Sequence, residues 1–299
     1  MSRIRKAVVP AAGYGTRMYP ASKALKKELF PIVDRDGLAK PIIQIVLEEA
    51  LDSGVEEICL ITQPGGEADF RDYFGGSLPQ DLRDKVHARD WARDASKRLK
   101  DIASRITYVH QPTQEGFGHA VHCAKDWVAG EPFLLLLGDH LFLSDSELSC
   151  ASQLVAAFKK HGKSMLAVQR TDESQLHLFG TVRGEPVLDE ADTYRIMNFG
   201  EKPDPVFASQ NLRTPGLPEN EYLCIFGQYI LQAAIFDALD YLVENDIRES
   251  GEIQLTSAFE MARERVEYYA YETKGLRCDT GVPEEYVRTM GRFYARTNP

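Results

Sequence analysis

The sequence predicts an α/β fold in which a doubly wound sheet is flanked by helices, and three observations predict it. Apolar runs of strand length alternate with stretches of helical period through the first half. Several of these runs are apolar at every position, as in strands covered on both faces. The length of 299 residues exceeds the ~100–200 of a usual single core, which leaves one large α/β domain or two smaller ones.

Taken in order, KAVVPAA (6–12) reads as the first strand. After a loop, Ile42, Ile45, Val46 and Ala50 fall at helical spacing within residues 39–53, and EEICLIT (56–62) returns to strand character. ITYVHQ (106–111), PFLLLLGD (132–139) and SMLAVQR (164–170) continue the series. Between Asp81 and Arg105, Leu82, Val86, Leu99 and Ile102 stand among eight basic and five acidic residues, the pattern of one or two solvated helices or else of a partner surface. From Thr181 onward the chain breaks into hairpin-like pieces punctuated by RGEP (183–186) and KPDP (202–205), and helical period returns near Gln232. No internal repeat or linker divides the chain, so a single domain over 1–299 is expected, with one half over about 1–140 and the other over about 141–299.

Composition narrows the function. With 43% hydrophobic and 27% charged residues the chain is an ordinary globular protein. Lys+Arg 35 against Asp+Glu 45 gives a net charge of −10, which argues against a nucleic-acid partner while leaving room for a local cationic pocket. The longest apolar run, residues 133–137, is far below the roughly 20 residues of a membrane span, and MSRIRKAVVPAAG lacks a signal-peptide core, so a soluble, cytoplasmic chain without a membrane partner is expected. Cys59, Cys123, Cys150, Cys224 and Cys278 are odd in number and widely spaced, which fits inert thiols better than disulfides or zinc.

The segment AAGYGTRMYPASKALKKELFP (11–31) follows the first strand directly, where an α/β sheet presents its carboxyl edge to ligands. Gly13 and Gly15 let backbone N–H groups approach phosphate oxygens, Thr16 adds a hydroxyl, and Arg17, Lys23, Lys26 and Lys27 bring positive charge into one loop. The chemistry suits a polyphosphate; a surface turn with solvated lysines is the plainer alternative. A dinucleotide fingerprint would need a third glycine at Met18, and a Walker A loop would need a Gly-Lys-Ser/Thr ending, so both are excluded. Pro20 and Pro31 make the stretch an extended loop, not an uninterrupted helix.

Other candidates are scattered. Asp139 ends an apolar strand and should emerge at the same edge, where a hard cation is the natural partner and a second acid is wanted; a turn residue is the alternative. Gln111 follows ITYVH and offers the donor and acceptor that reading a pyrimidine edge requires. Glu201 and Lys202 precede Pro203 in extended context, where neighbours point in opposite directions unless the chain bends, so a surface pair is the plain reading. His119 and His122, at i, i+3 without a third ligand, suit packing better than zinc.

The pattern G-x-G-T-R-x-x-P-x-S-K-x-x-x-K-E-L-x-P over residues 13–31 resembles the signature loop of bacterial UTP:glucose-1-phosphate uridylyltransferases, in the sugar nucleotidyltransferase family. The likeness recurs in order at HQPTQEGFGHAV (110–121), LLLLGD (134–139), FGTV (179–182), GEKP (200–203), GQYIL (227–231), GEIQLT (251–256) and CDTG (278–281). It implies the Rossmann-like mixed sheet of the nucleotide-diphospho-sugar transferase fold and transfer of the uridylyl group of UTP to glucose 1-phosphate, giving UDP-glucose and pyrophosphate. Carried over position by position, Arg17 and Lys27 become the catalytic cations and Asp139 and Asp279 the Mg²⁺ ligands. Ala11, Ala12, Gly13, Gly15, Thr16, Gln111 and Gly116 bind the nucleotide, with the glutamine on uracil and Gly116 admitting the ring. Gly180, Glu201 and Lys202 bind the sugar phosphate, with Lys202 on the phosphate and Glu201 on sugar hydroxyls. The likeness further implies a homo-oligomer, dimer or tetramer.

The chain departs from the family pattern in four places. His140 follows Asp139 where many relatives carry a second acid or an apolar residue, and DRDGLAK (34–40) is a few residues longer than usual. NFGEKP lacks an apolar-acid lead before Glu201, and Gln228 stands where an arginine is common. These leave open a different sugar 1-phosphate or dTTP, and a sensor that binds nucleotide sugars without turnover is the rival of another class. Retention of Arg17, Lys27, Asp139 and Asp279 counts against that rival.

Overall fold

The computed structural model describes residues 3–297, so Met1 and Ser2 of the opening segment lie outside the described residues. Its strands are β1 (Lys6–Pro10), β2 (Pro31–Val33), β3 (Ala39–Pro41), β4 (Glu57–Thr62), β5 (Ile106–His110), β6 (Phe133–Leu136) and β7 (His140–Ser144). There follow β8 (Ser164–Asp172), β9 (Thr181–Val187), β10 (Glu190–Gly200), β11 (Glu221–Leu231), β12 (Tyr268–Glu272) and β13 (Gly275–Asp279). Nine of them form one mixed sheet in the order β5-β4-β1-β6-β11-β8-β12-β10-β9, so strands before and after residue 140 share a sheet. The β5, β4, β1 and β6 pairings are parallel, and β11 runs antiparallel between β6 and β8.

The expectation of strands covered on both faces holds at β6. Leu134 and Leu136 enter a core with Ile43, Val46 and Leu47 of the helix Ile42–Asp52, while Phe133 and Leu135 face a second core with Phe236 and Leu239 of the helix Ile235–Glu244. Alternate side chains on a strand point to opposite faces, so an all-apolar run is what two buried faces require.

Strand order fixes where a ligand can enter. β4 and β5 lie on one side of β1 and β6 on the other, so the winding reverses at β1 and a crevice opens beyond the carboxyl ends of β1 and β6. Gly138 lets those two ends meet: its N–H donates to the Pro10 carbonyl at 3.2 Å, and a Cβ there would stand 2.6 Å from that oxygen.

Several local expectations need correction. The segment 39–53 begins as β3, paired with β2, before the helix starts at Ile42. RGEP is not a turn: it lies inside β9, where Gly184 packs against the Tyr194 ring stem and its N–H donates to Thr214 Oγ1. The hairpin turns after Val187 instead, with Asp189 at φ 62°. The charged 81–105 stretch, by contrast, forms two helices as expected, Gln80–His87 and Asp90–Arg105, anchored by buried Ala92 and Ile102. All five cysteines are free thiols.

Candidate active site

The loop after β1 carries the cations, the turn after β6 carries Asp139, and β13 brings Asp279 to both. Ala11 and Ala12 are buried at the strand exit, tied down by Ala11 N–H to Ile61 O at 2.8 Å and by Gln63 Nε2 to Ala12 O at 2.8 Å. From there Gly13, Thr16 and Arg17 are exposed, and Gly15 stands at φ 65° before a short 3₁₀ turn. Lys27 opens a later 3₁₀ turn and folds back beneath Gly13 and Gly15. Its Nζ lies 2.5 Å from Asp139 Oδ2.

Asp279 arrives by sheet register: β13 pairs antiparallel with β7, which sets Asp279 opposite His140. The Thr280 hydroxyl donates to the Asp139 carbonyl at 2.6 Å, and the Gly281 N–H donates to Asp279 Oδ1 at 2.7 Å. Ligand atoms of Asp139, His140 and Asp279 lie within 4.8 Å of one another. A Cβ on Gly281 would sit 2.9 Å from Asp139 Oδ2, 3.0 Å from Asp279 Oδ1 and 3.1 Å from Arg17 Nη2, so the absence of a side chain keeps open the space between these groups. Two carboxylates around a cradle that a methyl would fill fit a divalent cation that keeps waters and shares phosphate oxygens.

Burial and charge set the protonation states here. Burial opposes ionisation of Asp139, but His140 and then Lys27 hold its carboxyl far below the usual range. Burial also works against the Lys27 ammonium, and Asp139 with Glu28 more than offsets it, so Lys27 is raised. Glu28 is almost wholly buried; desolvation pushes it up to about 7 while Lys27 pulls the other way.

Gln111 is buried, and its Nε2 is already engaged, donating to Gly116 O at 3.1 Å and facing His119 Nδ1 at 3.2 Å. Burial lowers the His119 pKa, which favours the neutral ring that can accept from the amide. Gly116 stands at φ 115°, and a Cβ there would meet Ile253 O at 2.7 Å, so packing on the segment around Ile253 accounts for this glycine. His122 bonds to Asp240 at 2.9 Å, a helix-surface role as expected.

On the opposite wall, Glu201 Oε2 accepts from the Thr256 hydroxyl at 2.7 Å, and Gly180 lies against both residues. Lys202 has φ 42°, and this bend brings its Nζ to 3.5 Å from Glu201 Oε1, so the two neighbours do not point apart. Glu201, Lys202, Thr256 and Glu260 line a cavity of about 620 Å³ with Phe207 and Ile247.

Sequence reading missed Thr256, Gly281 and Arg277. Arg277 shares a face of β13 with Asp279, lies 3.8 Å above the Phe179 ring and donates to Ile225 O at 3.1 Å. The Ile225 N–H in turn donates to Gly180 O at 2.8 Å, so Arg277 joins the strand that carries Asp279 to the Gly180 wall. Burial draws its pKa down, with Asp279 opposing, and it makes no ion pair among the described residues. Spacing along β13 marks it only after Asp279 is placed.

A family model for nucleotidyl transferases matches residues 6–294. The chain belongs to the nucleotidyl transferase family. Similar members of this family include the UTP-glucose-1-phosphate uridylyltransferase of Bacillus subtilis, 35% identical over 295 residues and covering 98% of this chain and 92% of that protein. UTP-glucose-1-phosphate uridylyltransferase 2 of Staphylococcus saprophyticus is 36% identical over 289 residues, 97% of this chain and 91% of that one. Among solved nucleotidyltransferase structures, UDP-glucose pyrophosphorylase complexed with UDP-glucose matches with a TM-score of 0.77 at 30% identity, over 98% of this chain and 99% of that one. The UTP-bound enzyme from Acinetobacter baumannii gives 0.77 at 27% identity, over 97% and 93%. The mixed α/β sheet is thus the nucleotidyltransferase fold that the sequence resemblance implied.

Proposed function

We propose that this nucleotidyltransferase transfers the uridylyl group of UTP to glucose 1-phosphate, forming UDP-glucose and pyrophosphate. The observation that carries the reading is the 35% identity to the Bacillus subtilis uridylyltransferase across 98% of the chain. An oxygen of the sugar phosphate attacks the α-phosphorus in line, a new P–O bond forms, and the bond to the β-phosphate bridging oxygen breaks as pyrophosphate leaves. No covalent enzyme intermediate is needed, so the protein's work is positioning and charge stabilisation.

In this reading residues up to about 140 hold the nucleotide and residues from about 141 hold the sugar phosphate. Backbone N–H groups from Ala11 to Thr16 cradle the triphosphate, and Arg17 and Lys27 steady it and the departing pyrophosphate. Gln111 reads the uracil edge beside Gly116. Lys202 takes the sugar phosphate charge, and Glu201, oriented by Thr256, accepts from sugar hydroxyls beside Gly180. Mg²⁺ held by Asp139 and Asp279 supplies Lewis-acid charge neutralisation at the phosphate oxygens when bound.

No described helix is long and apolar enough to cross a membrane. We place the enzyme in the cytoplasm as a homo-oligomer, dimer or tetramer, which sedimentation tests. The reaction itself is tested by pyrophosphate release with Mg²⁺ across the common nucleoside triphosphates, dTTP and a panel of hexose 1-phosphates. UTP with glucose 1-phosphate is expected to be the best pair. If no pair reacts, the enzyme reading falls and a nucleotide-sugar sensor replaces it.

A further inference from the structure

His140 has no part in the reaction as described so far, yet it stands inside the acidic cluster. It opens β7 directly after Asp139 and faces Asp279 across the β7–β13 pair. Its Nδ1 is 2.9 Å from Asp139 Oδ1, and the side chain is only 12% exposed. The ring is backed by Gly227, where a Cβ would stand 3.8 Å from the His140 Cδ2.

The His140 Nδ1 to Asp139 Oδ1 separation is that of two neighbouring ligands on one ion. Two ligands at right angles on a cation with bonds of ~2.0–2.1 Å stand about 2.8–3.0 Å apart, so the 2.9 Å contact matches a pair of adjacent coordination positions. The other Asp139 oxygen is on Lys27, which leaves Oδ1 facing the imidazole. Asp279 Oδ1 is occupied by the Gly281 N–H and can still offer its second oxygen. The Asp139 and Asp279 carboxylates flank the space that Gly281 leaves open, and one imidazole nitrogen and one oxygen from each carboxylate lie within 4.8 Å of one another.

We propose that His140 is a third protein ligand of the metal, through Nδ1, and that it shifts the site's preference toward first-row transition ions. This rests on the reading of Asp139 and Asp279 as the metal ligands of a nucleotidyltransferase. Mg²⁺ favours oxygen donors, whereas an imidazole adds affinity for ions such as Co²⁺ more than for Mg²⁺. A site with His140 therefore discriminates between Co²⁺ and Mg²⁺ more strongly than the same site with two carboxylates alone.

The test uses the full chain, loaded with Mn²⁺ with and without UDP-glucose and followed by pulsed electron paramagnetic resonance. Wild type is expected to show coupling from a directly bound histidine nitrogen that changes isotope pattern on ¹⁵N-histidine labelling and vanishes in His140→Asn. Calorimetric titration is expected to show the Co²⁺ to Mg²⁺ affinity ratio falling by about tenfold or more in His140→Asn, the scale reached by disturbing even a metal ligand's outer partner. His140→Ala, checked by circular dichroism and melting, separates loss of the ligand from loss of fold. Mn²⁺ bound without nitrogen coupling, or no Mn²⁺ bound under either condition, overturns the proposal. Turnover of UTP and glucose 1-phosphate without such coupling sinks the His140 assignment and leaves the uridylyltransferase reading standing; coupling without turnover does the reverse.

Discussion

Lys27 and Asp139 lie 112 residues apart in the chain, yet Nζ and Oδ2 are 2.5 Å apart at the carboxyl edge of the sheet. The switch in winding beside β1 produces this meeting, since it sets the loop after β1 next to the turn after β6. Lys27 therefore holds the Asp139 carboxylate in place, and in the proposed reaction it would also serve the triphosphate. Lys27→Ala is expected to lower kcat by about two orders of magnitude, the scale of one preorganised donor. Turnover within threefold of wild type, with melting unchanged, would reduce Lys27 to a structural cation.

The two carboxylates should act on one ion. Asp139→Asn and Asp279→Asn are each expected to raise the Mg²⁺ concentration needed for half-maximal activity and to depress the maximal rate. Gly281→Ala tests the open space itself, because its methyl would meet both acids and Arg17 at about 3 Å. Magnesium titrations of the three variants that overlay the parent's would remove Asp139, Asp279 and the cradle from the metal site.

Glu28 gives stability a particular pH dependence. Burial raises its folded-state pKa from 4.5 to about 7, so the folded chain holds this proton more tightly than the unfolded chain. The contribution is fully present below about pH 4.5 and is lost as pH rises through about 7, on the order of 3 kcal/mol for a rise of this size. Glu28→Gln keeps the neutral form at every pH. Its stability relative to wild type is therefore expected to grow from pH 5 to pH 7 and then level off, measured by urea unfolding at fixed pH values. A difference that stays constant over that range would mean that Glu28 is ionised throughout.

Arg277 ties the strand of Asp279 to the Gly180 wall through Ile225 and Phe179. Arg277→Lys keeps the charge but loses the planar group that stacks and donates at once. Its KM for glucose 1-phosphate is expected to rise about tenfold, the cost of one charge-assisted hydrogen bond of ~1.5 kcal/mol, with the KM for UTP changed less. Equal changes in both constants would locate the effect in folding or the metal, not the sugar wall.

Much of this was legible in the sequence. Strands covered on both faces announce themselves as unbroken apolar runs, and the loop at 11–31 declares its cations and glycines within one stretch. What stayed hidden depends on register and long-range packing. Arg277 and Thr256 acquire meaning only when β13 pairs with β7 and when the helix Leu255–Ala262 meets Glu201. RGEP looked like a turn because glycine and proline punctuate turns, whereas Gly184 answers to the bulk of Tyr194 across the hairpin. Lys202 was expected to diverge from Glu201 because an extended chain alternates its side chains, and a left-handed φ at that one residue reverses the outcome.

In the proposed function, base choice would turn on the half of the Gln111 amide that remains available. Its Nε2 is committed to Gly116 O and His119 Nδ1, while Oε1 accepts no hydrogen bond among the described residues. An acceptor suits uracil, whose N3 carries a proton, and repels cytosine, whose N3 carries a lone pair; thymine shares the uracil edge. The donor–acceptor pair expected from sequence is thus reduced to its acceptor, which is the half that tells uracil from cytosine. A mismatched polar group in such a site costs ~1–3 kcal/mol, roughly 5- to 150-fold in relative efficiency. Wild type is therefore expected to prefer UTP strongly over CTP and ATP and to accept dTTP in part, and Gln111→Ala to narrow the UTP to CTP ratio by at least about fivefold. The comparison is kcat/KM for the two triphosphates in both proteins. An unchanged ratio would assign base reading to backbone groups near Ala12 and Gly116 and leave Gln111 as a brace for His119.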